Sequence, residues 1–348
     1  MSQGYTVAVV GATGAVGQKI IEKLVERNFP YSKLKLLASK RSAGKEVEVN
    51  GLTYKLEEAT PESFEGVDIA FFSAGGAISK LLAKEAVSRG AIVVDNTSAF
   101  RMDKDTPLVV PEVNKQALHA HQGIIANPNC STIQMVAALE PIRKAYGLSK
   151  VIVSTYQAVS GAGAAAIEEL TTQSEAINEK NPNPSILPVK SAEKHYPIAG
   201  NVIPQIDVFD EDGFTLEEHK MMNETKKIMT LPQLSIAATC VRVPVVTGHS
   251  ESVYIEIDKE DVTVDELKQL LSNTKGITLQ DAPEQQLYPM PYFVEDEDDV
   301  FVGRIRKDPS NNNGFHMWIV SDNLLKGAAL NSIQIAEALI EERILKEV

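Results

Sequence analysis

Seven residues near the N-terminus, Gly11-Ala12-Thr13-Gly14-Ala15-Val16-Gly17, restrict the chain more than any other stretch. A β-branched run, Tyr5-Thr6-Val7-Ala8-Val9-Val10, leads into them, and Val16, Ile20, Leu24 and Val25 follow at helical spacing up to Glu26. Strand, tight turn and helix in that order bring backbone N–H groups and the positive end of a helix dipole to one point, where a pyrophosphate can approach the main chain closely. The spacing is G-x-x-G-x-x-G rather than G-x-G-x-x-G, which changes the pattern but not the mechanism. A turn with a purely structural purpose is the competing reading.

The alternation continues with strands predicted over 33–38, 67–73 and 91–95 and a helix over 78–88, the rhythm of parallel βαβ units with both sheet faces covered. Beyond about residue 125 the character changes. Asn127-Pro128-Asn129 is turn chemistry before a helix-permissive stretch over 133–146, and β-rich segments follow over 150–159, 236–246, 252–257 and 314–320. Asn181-Pro182-Asn183-Pro184 with Pro188 reads as an irregular connection, and the acidic run Glu295 to Asp299 as a solvated loop. Residues 323–348 read as an amphipathic helix, with Leu330, Ile333, Ala336, Ile340 and Ile344 at steps of three and four.

A chain of 348 residues suggests two domains. Its net charge of −13 argues against nucleic acid and anionic membrane as partners. The two cysteines, Cys130 and Cys240, form neither a disulfide framework nor a thiolate-rich zinc site, so a reducing, cytoplasmic setting is expected. His119 and His121 are two apart, a spacing that does not bring them to one helical face, and no metal is expected. There is no signal-peptide pattern and no apolar run of the ~18 residues a membrane span needs, which predicts a soluble, unprocessed protein.

The turn after the second strand bears on the nucleotide. An NAD site usually carries a carboxylate there for the ribose 2′-hydroxyl, whereas this chain has Ser39-Lys40-Arg41-Ser42. Arg41 can fork onto a 2′-phosphate and Ser42 can add a hydrogen bond, so NADP is favoured over NAD; a solvated basic loop is the plainer alternative. Cys130 opens the helix after Asn-Pro-Asn, where backbone N–H groups and the dipole favour a thiolate. Cys240, within Ile236-Ala237-Ala238-Thr239-Cys240-Val241, reads as a small buried hydrophobe.

Taken with further blocks, the chain resembles the aspartate-semialdehyde dehydrogenase family over nearly its whole length. The blocks are Gly11 to Gly17, Arg41-Ser42, Ser98-Ala99-Phe100-Arg101-Met102, Asn127-Pro128-Asn129-Cys130-Ser131-Thr132, Gln157 to Gly163, and Cys240-Val241-Arg242-Val243 through Gly248-His249-Ser250. The resemblance implies that Cys130 is the nucleophile, His249 the acid/base and Gln157 a residue that positions the substrate. It implies that Arg242 grips the substrate carboxylate, Arg101 and Lys227 the phosphate, and Glu224 the amino group, with Asn129 also at the substrate. Cofactor contacts are implied for Gly11, Thr13, Gly14, Ala15, Val16, Gly17, Arg41, Ser42, Ser160, Gly161 and Asn323. The implied fold is α/β: a Rossmann-like NADP-binding domain, 1–127 plus 322–348, around a central α+β catalytic and dimerisation domain, 128–321. A homodimer, which can pair into a homotetramer, is the implied assembly.

The chemistry is coherent with this resemblance. Turning an aldehyde into an acyl phosphate needs a nucleophile that forms a thiohemiacetal, a hydride acceptor, and an acyl-enzyme that phosphate can intercept; sulfur supplies the first and the last. His249 is expected to take the thiol or thiohemiacetal proton, and NADP the hydride. The implied reaction joins L-aspartate 4-semialdehyde, phosphate and L-4-aspartyl phosphate, a step toward lysine, threonine and methionine. N-acetyl-glutamyl-phosphate reductase chemistry is the nearest rival, disfavoured because Glu224 would face a neutral acetamido group. A noncatalytic NADP-binding protein on the same fold is the other alternative.

Overall fold

Tyr5–Val10 forms β1, the middle of a sheet in which every pairing is parallel. Its residues alternate between two apolar layers: Val7 and Val9 pack with Ile20, Leu24 and Leu36, while Ala8 and Val10 pack with Phe72, Leu82 and Ala86. Coverage of both faces is what makes a parallel strand apolar throughout. The computed structural model describes residues 4–178 and 183–345, and the chain divides into two units, Met1–Asn129 with Ala328–Val348, and Cys130–Gly327. Asn181 and Pro182 of the expected irregular connection lie outside the described residues.

In the first unit β1 is followed by α1 (Ala15–Glu26), β2 (Tyr31–Ala38), a ribbon of β3 (Glu46–Val49) and β4 (Leu52–Lys55), β5 (Glu57–Glu58), β6 (Ile69–Phe72), α2 (Gly76–Ser88), β7 (Ile92–Asp95), α3 (Pro111–Asn114) and β8 (Ile124–Ala126). The sheet order β5-β2-β1-β6-β7-β8 reverses direction between β1 and β6, and ligands of such sheets bind beyond the carboxyl ends of the strands at that point. The C-terminal helix, Leu330–Glu341, completes this unit: Ile333, Ala336 and Leu339 join the layer under Val9 and Leu24. Polar contacts seat it as well. Asn331 donates to the Val109 carbonyl at 3.0 Å and to Asn127 Oδ1 at 2.7 Å, and Arg27 forks onto Glu337 with two bonds of 2.8 Å. The helix is shorter than the expected 323–348, because Leu325–Ala329 forms a π turn and regular helix ends at Glu341; residues 346–348 lie outside the described ones.

The second unit runs α4 (Cys130–Tyr146), β9 (Lys150–Gln157), α5 (Ala164–Glu175), α6 (Leu216–Ile228), β10 (Ser235–Arg242), β11 (His249–Glu256), α7 (Val264–Ser272), β12 (Ile277–Leu279), β13 (Val300–Lys307) and β14 (Gly314–Ser321). Its sheet is mixed, in the order β10-β9-β11-β14-β13-β12, antiparallel at the three central pairings and parallel at each edge. Helices α4, α6 and α7 pack against the sheet. Along β9, every second residue from Val151 to Gln157 is buried while Ile152 and Tyr156 stay exposed, and the Tyr156 ring lies 5.3 Å from that of Trp318. Strand β10 stops at Arg242, short of the expected 246, since Pro244 has no N–H to continue a ladder. Strand β11 begins at His249, ahead of the expected 252, on polar residues that are nonetheless buried. The acidic run Glu295 to Asp299 is outside regular structure, as expected.

Candidate functional site

In the first unit, Gly11 turns the chain at the end of β1 with φ of +90°, and a Cβ there would come within 2.9 Å of the Ala74 nitrogen, just beyond β6. A Cβ at Gly17 would collide with the Gly11 carbonyl oxygen, so the loop closes onto the first turn of α1 only because both are glycine. Gly14 is the N-cap of α1 and has no side-chain cap, and the first turn carries no acid. This is a bare, electropositive helix start at the switch point of the sheet, and it fits a dinucleotide pyrophosphate. Thr13 is exposed, and Ala15 and Val16 are half-buried around it. The turn after β2 is closed by Ser42 N–H and Ala43 N–H donating to the Ser39 carbonyl at 2.8 and 3.0 Å, which leaves Arg41 exposed and Ser42 half-buried. Arg101 is buried in this unit, its Nε and Nη2 donating to the carbonyls of Asn127 and Asn96, each at 2.9 Å. Asn129, also buried, ends the first of the unit's two segments.

The second unit gathers the remaining chemistry around Arg242. Strands β9 and β10 are parallel and register Gln157 beside Arg242 at their ends, and β11 starts with His249. The fully buried Arg242 donates from Nη1 to the Ala158 carbonyl at 2.6 Å, and its Nε has no hydrogen-bond partner among the described residues. Burial pulls the Arg242 pKa down, while Glu217, Cys130 and Cys240 support its charge. The Cys130 thiol, half-buried at the start of α4, thus sits within electrostatic reach of a guanidinium, a setting that favours thiolate. For Cys240, burial pushes the thiol pKa far up, which makes it inert as a nucleophile.

His249 is fully buried, and burial followed by the nearby Arg242 charge pulls its pKa from 6.5 to about 3. Its Nδ1 accepts the Ala158 N–H at 3.0 Å, so the single ring proton of the neutral imidazole resides on Nε2. That nitrogen is 3.5 Å from Gln157 Nε2. In that tautomer the ring presents an N–H donor to the cluster. Gln157 is itself held from two sides, accepting from Thr155 Oγ1 at 3.0 Å and donating to Glu217 Oε1 at 3.1 Å. Gly161 lies against the cluster: a Cβ there would stand 3.2 Å from Arg242 Nη1 and 3.3 Å from His249 Nε2. Asn323 bonds Ser160 Oγ at 3.0 Å and accepts Gly248 N–H at 2.9 Å, so Ser160 and Asn323 brace the turn ahead of His249.

Helix α6 starts with a capping box between Thr215 and Glu218 and presents Glu217, Glu224 and Lys227 at spacings of seven and three, which is one face. Glu224 is buried and Lys227 half-buried. Glu217 was missed by sequence reasoning, although its place seven residues before Glu224 was the available signal. Gly327 was missed too: a Cβ there would meet Cys130 Cβ at 2.8 Å, and it lies in the π turn, an irregularity common at functional sites. Among the described residues no cluster of His, Cys, Asp or Glu could hold a metal ion, and no helix is long and apolar enough to cross a membrane.

Known proteins match this arrangement along the whole chain. Residues 6–121 match the family model of the semialdehyde dehydrogenase NAD binding domain, and residues 139–326 that of the semialdehyde dehydrogenase dimerisation domain. The aspartate-semialdehyde dehydrogenase of Bacillus subtilis is 66% identical over 97% of this chain and 98% of its own, and that of Aquifex aeolicus 51% identical over 98% and 100%. Among solved structures, aspartate semialdehyde dehydrogenase II from Vibrio cholerae complexed with ASA superposes with a TM-score of 0.92 at 44% identity, covering 98% of this chain and 99% of that one. The Candida albicans enzyme with NADP reaches 0.75 at 27% identity, over 98% and 100%. With both of its units matched and relatives of one name aligned nearly end to end, the chain belongs to the aspartate-semialdehyde dehydrogenase family.

Proposed function

We propose that the chain catalyses the NADP-dependent interconversion of L-aspartate 4-semialdehyde plus phosphate with L-4-aspartyl phosphate, through a thioester on Cys130. The observation that carries this reading is the gathering of Gln157, Arg242 and His249 at the ends of β9, β10 and β11, with Ala158 bonded to both Arg242 and His249 and Cys130 within electrostatic reach of the guanidinium. In the oxidative direction Cys130 Sγ attacks the aldehyde carbon, and the carbonyl electron pair moves onto oxygen. His249 donates a hydrogen bond from Nε2–H to that alkoxide, keeping its proton, a role suited to an imidazole held neutral and supported by the Ala158 bond to Nδ1. The alkoxide then re-forms its carbonyl as hydride departs. The nicotinamide, when bound, accepts that hydride with its two electrons. A phosphate oxygen attacks the thioester carbonyl and the Cys130 thiolate leaves.

The substrate carboxylate falls to Arg242, whose Nε, without a hydrogen-bond partner among the described residues, leaves donor capacity for a fork. Gln157 orients the aldehyde, Glu224 takes the amino group, Arg101 and Lys227 the phosphate, with Asn129 alongside. Glu224 favours a substrate with an ammonium over an N-acylated one. The pyrophosphate binds at Gly11 to Gly17, with Ser160, Gly161 and Asn323 toward the nicotinamide and Arg41 and Ser42 at the 2′-phosphate. A second copy of the chain docks on the dimerisation domain, where the exposed Ile152 and Tyr156 of the sheet supply apolar surface.

The direct test is reduced-nicotinamide formation from the semialdehyde with and without phosphate. Sustained turnover only with phosphate supports the reading, and equal rates in its absence reject it. Arg41→Ala is expected to weaken NADP binding by about 10- to 100-fold and leave NAD unchanged, since one charge-assisted contact to the 2′-phosphate is lost; titration of both nucleotides checks it. Gly161→Ala is expected to lower kcat by about 10-fold or more, because its Cβ pushes on the Arg242 and His249 side chains at 3.2 and 3.3 Å. Steady-state kinetics on the folded variant measure that loss.

A further inference from the structure

Gln134 is completely buried in α4, and its side chain is not used by the chemistry described above. Its Nε2 donates to the His249 carbonyl at 3.2 Å, and its Oε1 accepts from Ser321 Oγ at 2.7 Å. His249 and Ser321 are paired residues at the end of the β11–β14 ladder, so one amide holds both strand ends at once. Gln134 is also four residues after Cys130, one turn further along the same helical face, about 6 Å by helical rise. We propose that Gln134 is a positioning residue that fixes the distance between the Cys130 sulfur and the His249 ring by bolting the nucleophile's helix to the strand end that carries the imidazole. This rests on the reading that Cys130 and His249 carry the chemistry.

The bolt is specific in direction. The Ala158 N–H fixes the ring and Asn323 holds Gly248 immediately before it, but both of these contacts lie in the β9 turn and the segment after β14. Gln134 supplies the link to α4. A leucine of similar volume would pack against the sheet at no desolvation cost, whereas a buried amide is tolerated only when its polar atoms are engaged. Glu251, two residues beyond His249 on the same strand face, is completely buried as well, and burial raises its carboxyl well above the ordinary range. Engagement of both ends of one buried amide, with the His249 carbonyl on β11 and the Ser321 hydroxyl on β14, is more than core filling requires.

The experiment compares Gln134→Leu and Ser321→Ala with the parent enzyme, reading kcat, KM, thermal midpoint and the rate of Cys130 alkylation by iodoacetamide. Expected for Gln134→Leu is a fall in kcat of about 10- to 100-fold, with KM within about threefold and the alkylation rate within about twofold, since a shift of about 1 Å between reacting groups is that costly while the thiol keeps its own surroundings. Ser321→Ala, which removes only the 2.7 Å bond, is expected to move kcat the same way by a smaller factor. An unchanged kcat in folded Gln134→Leu overturns the proposal, as does a loss of kcat that comes with equally altered alkylation and a frayed fold. If Gln134→Leu does not fold, Ser321→Ala decides, and parent-like kcat there overturns it. A parent enzyme without semialdehyde activity would instead reject the proposed function, so the two failures are distinct.

Discussion

Cys130→Ala is expected to lose on the order of 10⁴-fold or more in phosphate-dependent semialdehyde oxidation, while binding NADP as the parent does. The loss is large because the sulfur acts twice, as the nucleophile that makes a thiohemiacetal and as the leaving group that phosphate displaces. No neighbouring group can substitute. Cys240 has its thiol pKa pushed far up by burial, on a strand interior beside Met221 at 3.6 Å between sulfurs. Cys240→Ala therefore serves as the matched control, with kcat expected within about twofold of the parent and some stability lost to the small cavity. Mass spectrometry of enzyme mixed with semialdehyde and NADP, phosphate omitted, is expected to show the acyl adduct on the peptide containing Cys130 and none on that containing Cys240. Full turnover by Cys130→Ala would remove the thioester from the scheme.

The parts of this molecule that were readable from sequence are those where one local rule dominates. The β1–α1 turn announces itself because glycine at Gly11 and Gly17 is demanded by backbone geometry and close approach, and both demands act within seven residues. Cys130 is readable because a helix start and a thiol coincide. Helix α6 was not read, since its apolar face is thin: Met221 and Ile228 are its buried hydrophobes, and the rest of its buried side includes Glu217, Glu218 and Glu224. A helix that buries carboxylates erases the amphipathic pattern by which helices are found. The same cause hid the start of β11, where His249, Ser250 and Glu251 are all buried and polar. Gln134 and Gly327 were unreadable for a different reason, because their partners, Ser321 and Cys130, are nearly two hundred residues away along the chain and only the tertiary fold brings them together.

His249→Ala is expected to lower kcat by about 10²- to 10³-fold, the usual cost of deleting one oxyanion donor, whereas His249→Gln is expected to stay within about tenfold of the parent, because a carboxamide N–H can occupy the place of Nε2–H. The difference between these two variants separates a donor from an acceptor. A ring that had to accept the thiol proton would be replaced no better by Gln than by Ala. The pH profile gives an independent reading. With its pKa pulled down to about 3 by burial and Arg242, the imidazole remains neutral across the working range, so the parent kcat profile is expected to carry no histidine inflection between about pH 5 and 8. Stability follows with a definite sign. The unfolded chain binds a proton at this histidine near its ordinary pKa of 6.5, and the folded one only near 3, so the contribution is complete above 6.5 and drains away as pH falls toward 3. His249→Gln lacks that proton, and its unfolding free energy, followed by denaturant titration at each pH, is expected to decline less steeply with acid over this window, by up to about 1.4 kcal/mol per pH unit. A kcat inflection near pH 6 to 7 that vanishes in His249→Gln, together with Gln as slow as Ala, would return the imidazole to the role of proton acceptor.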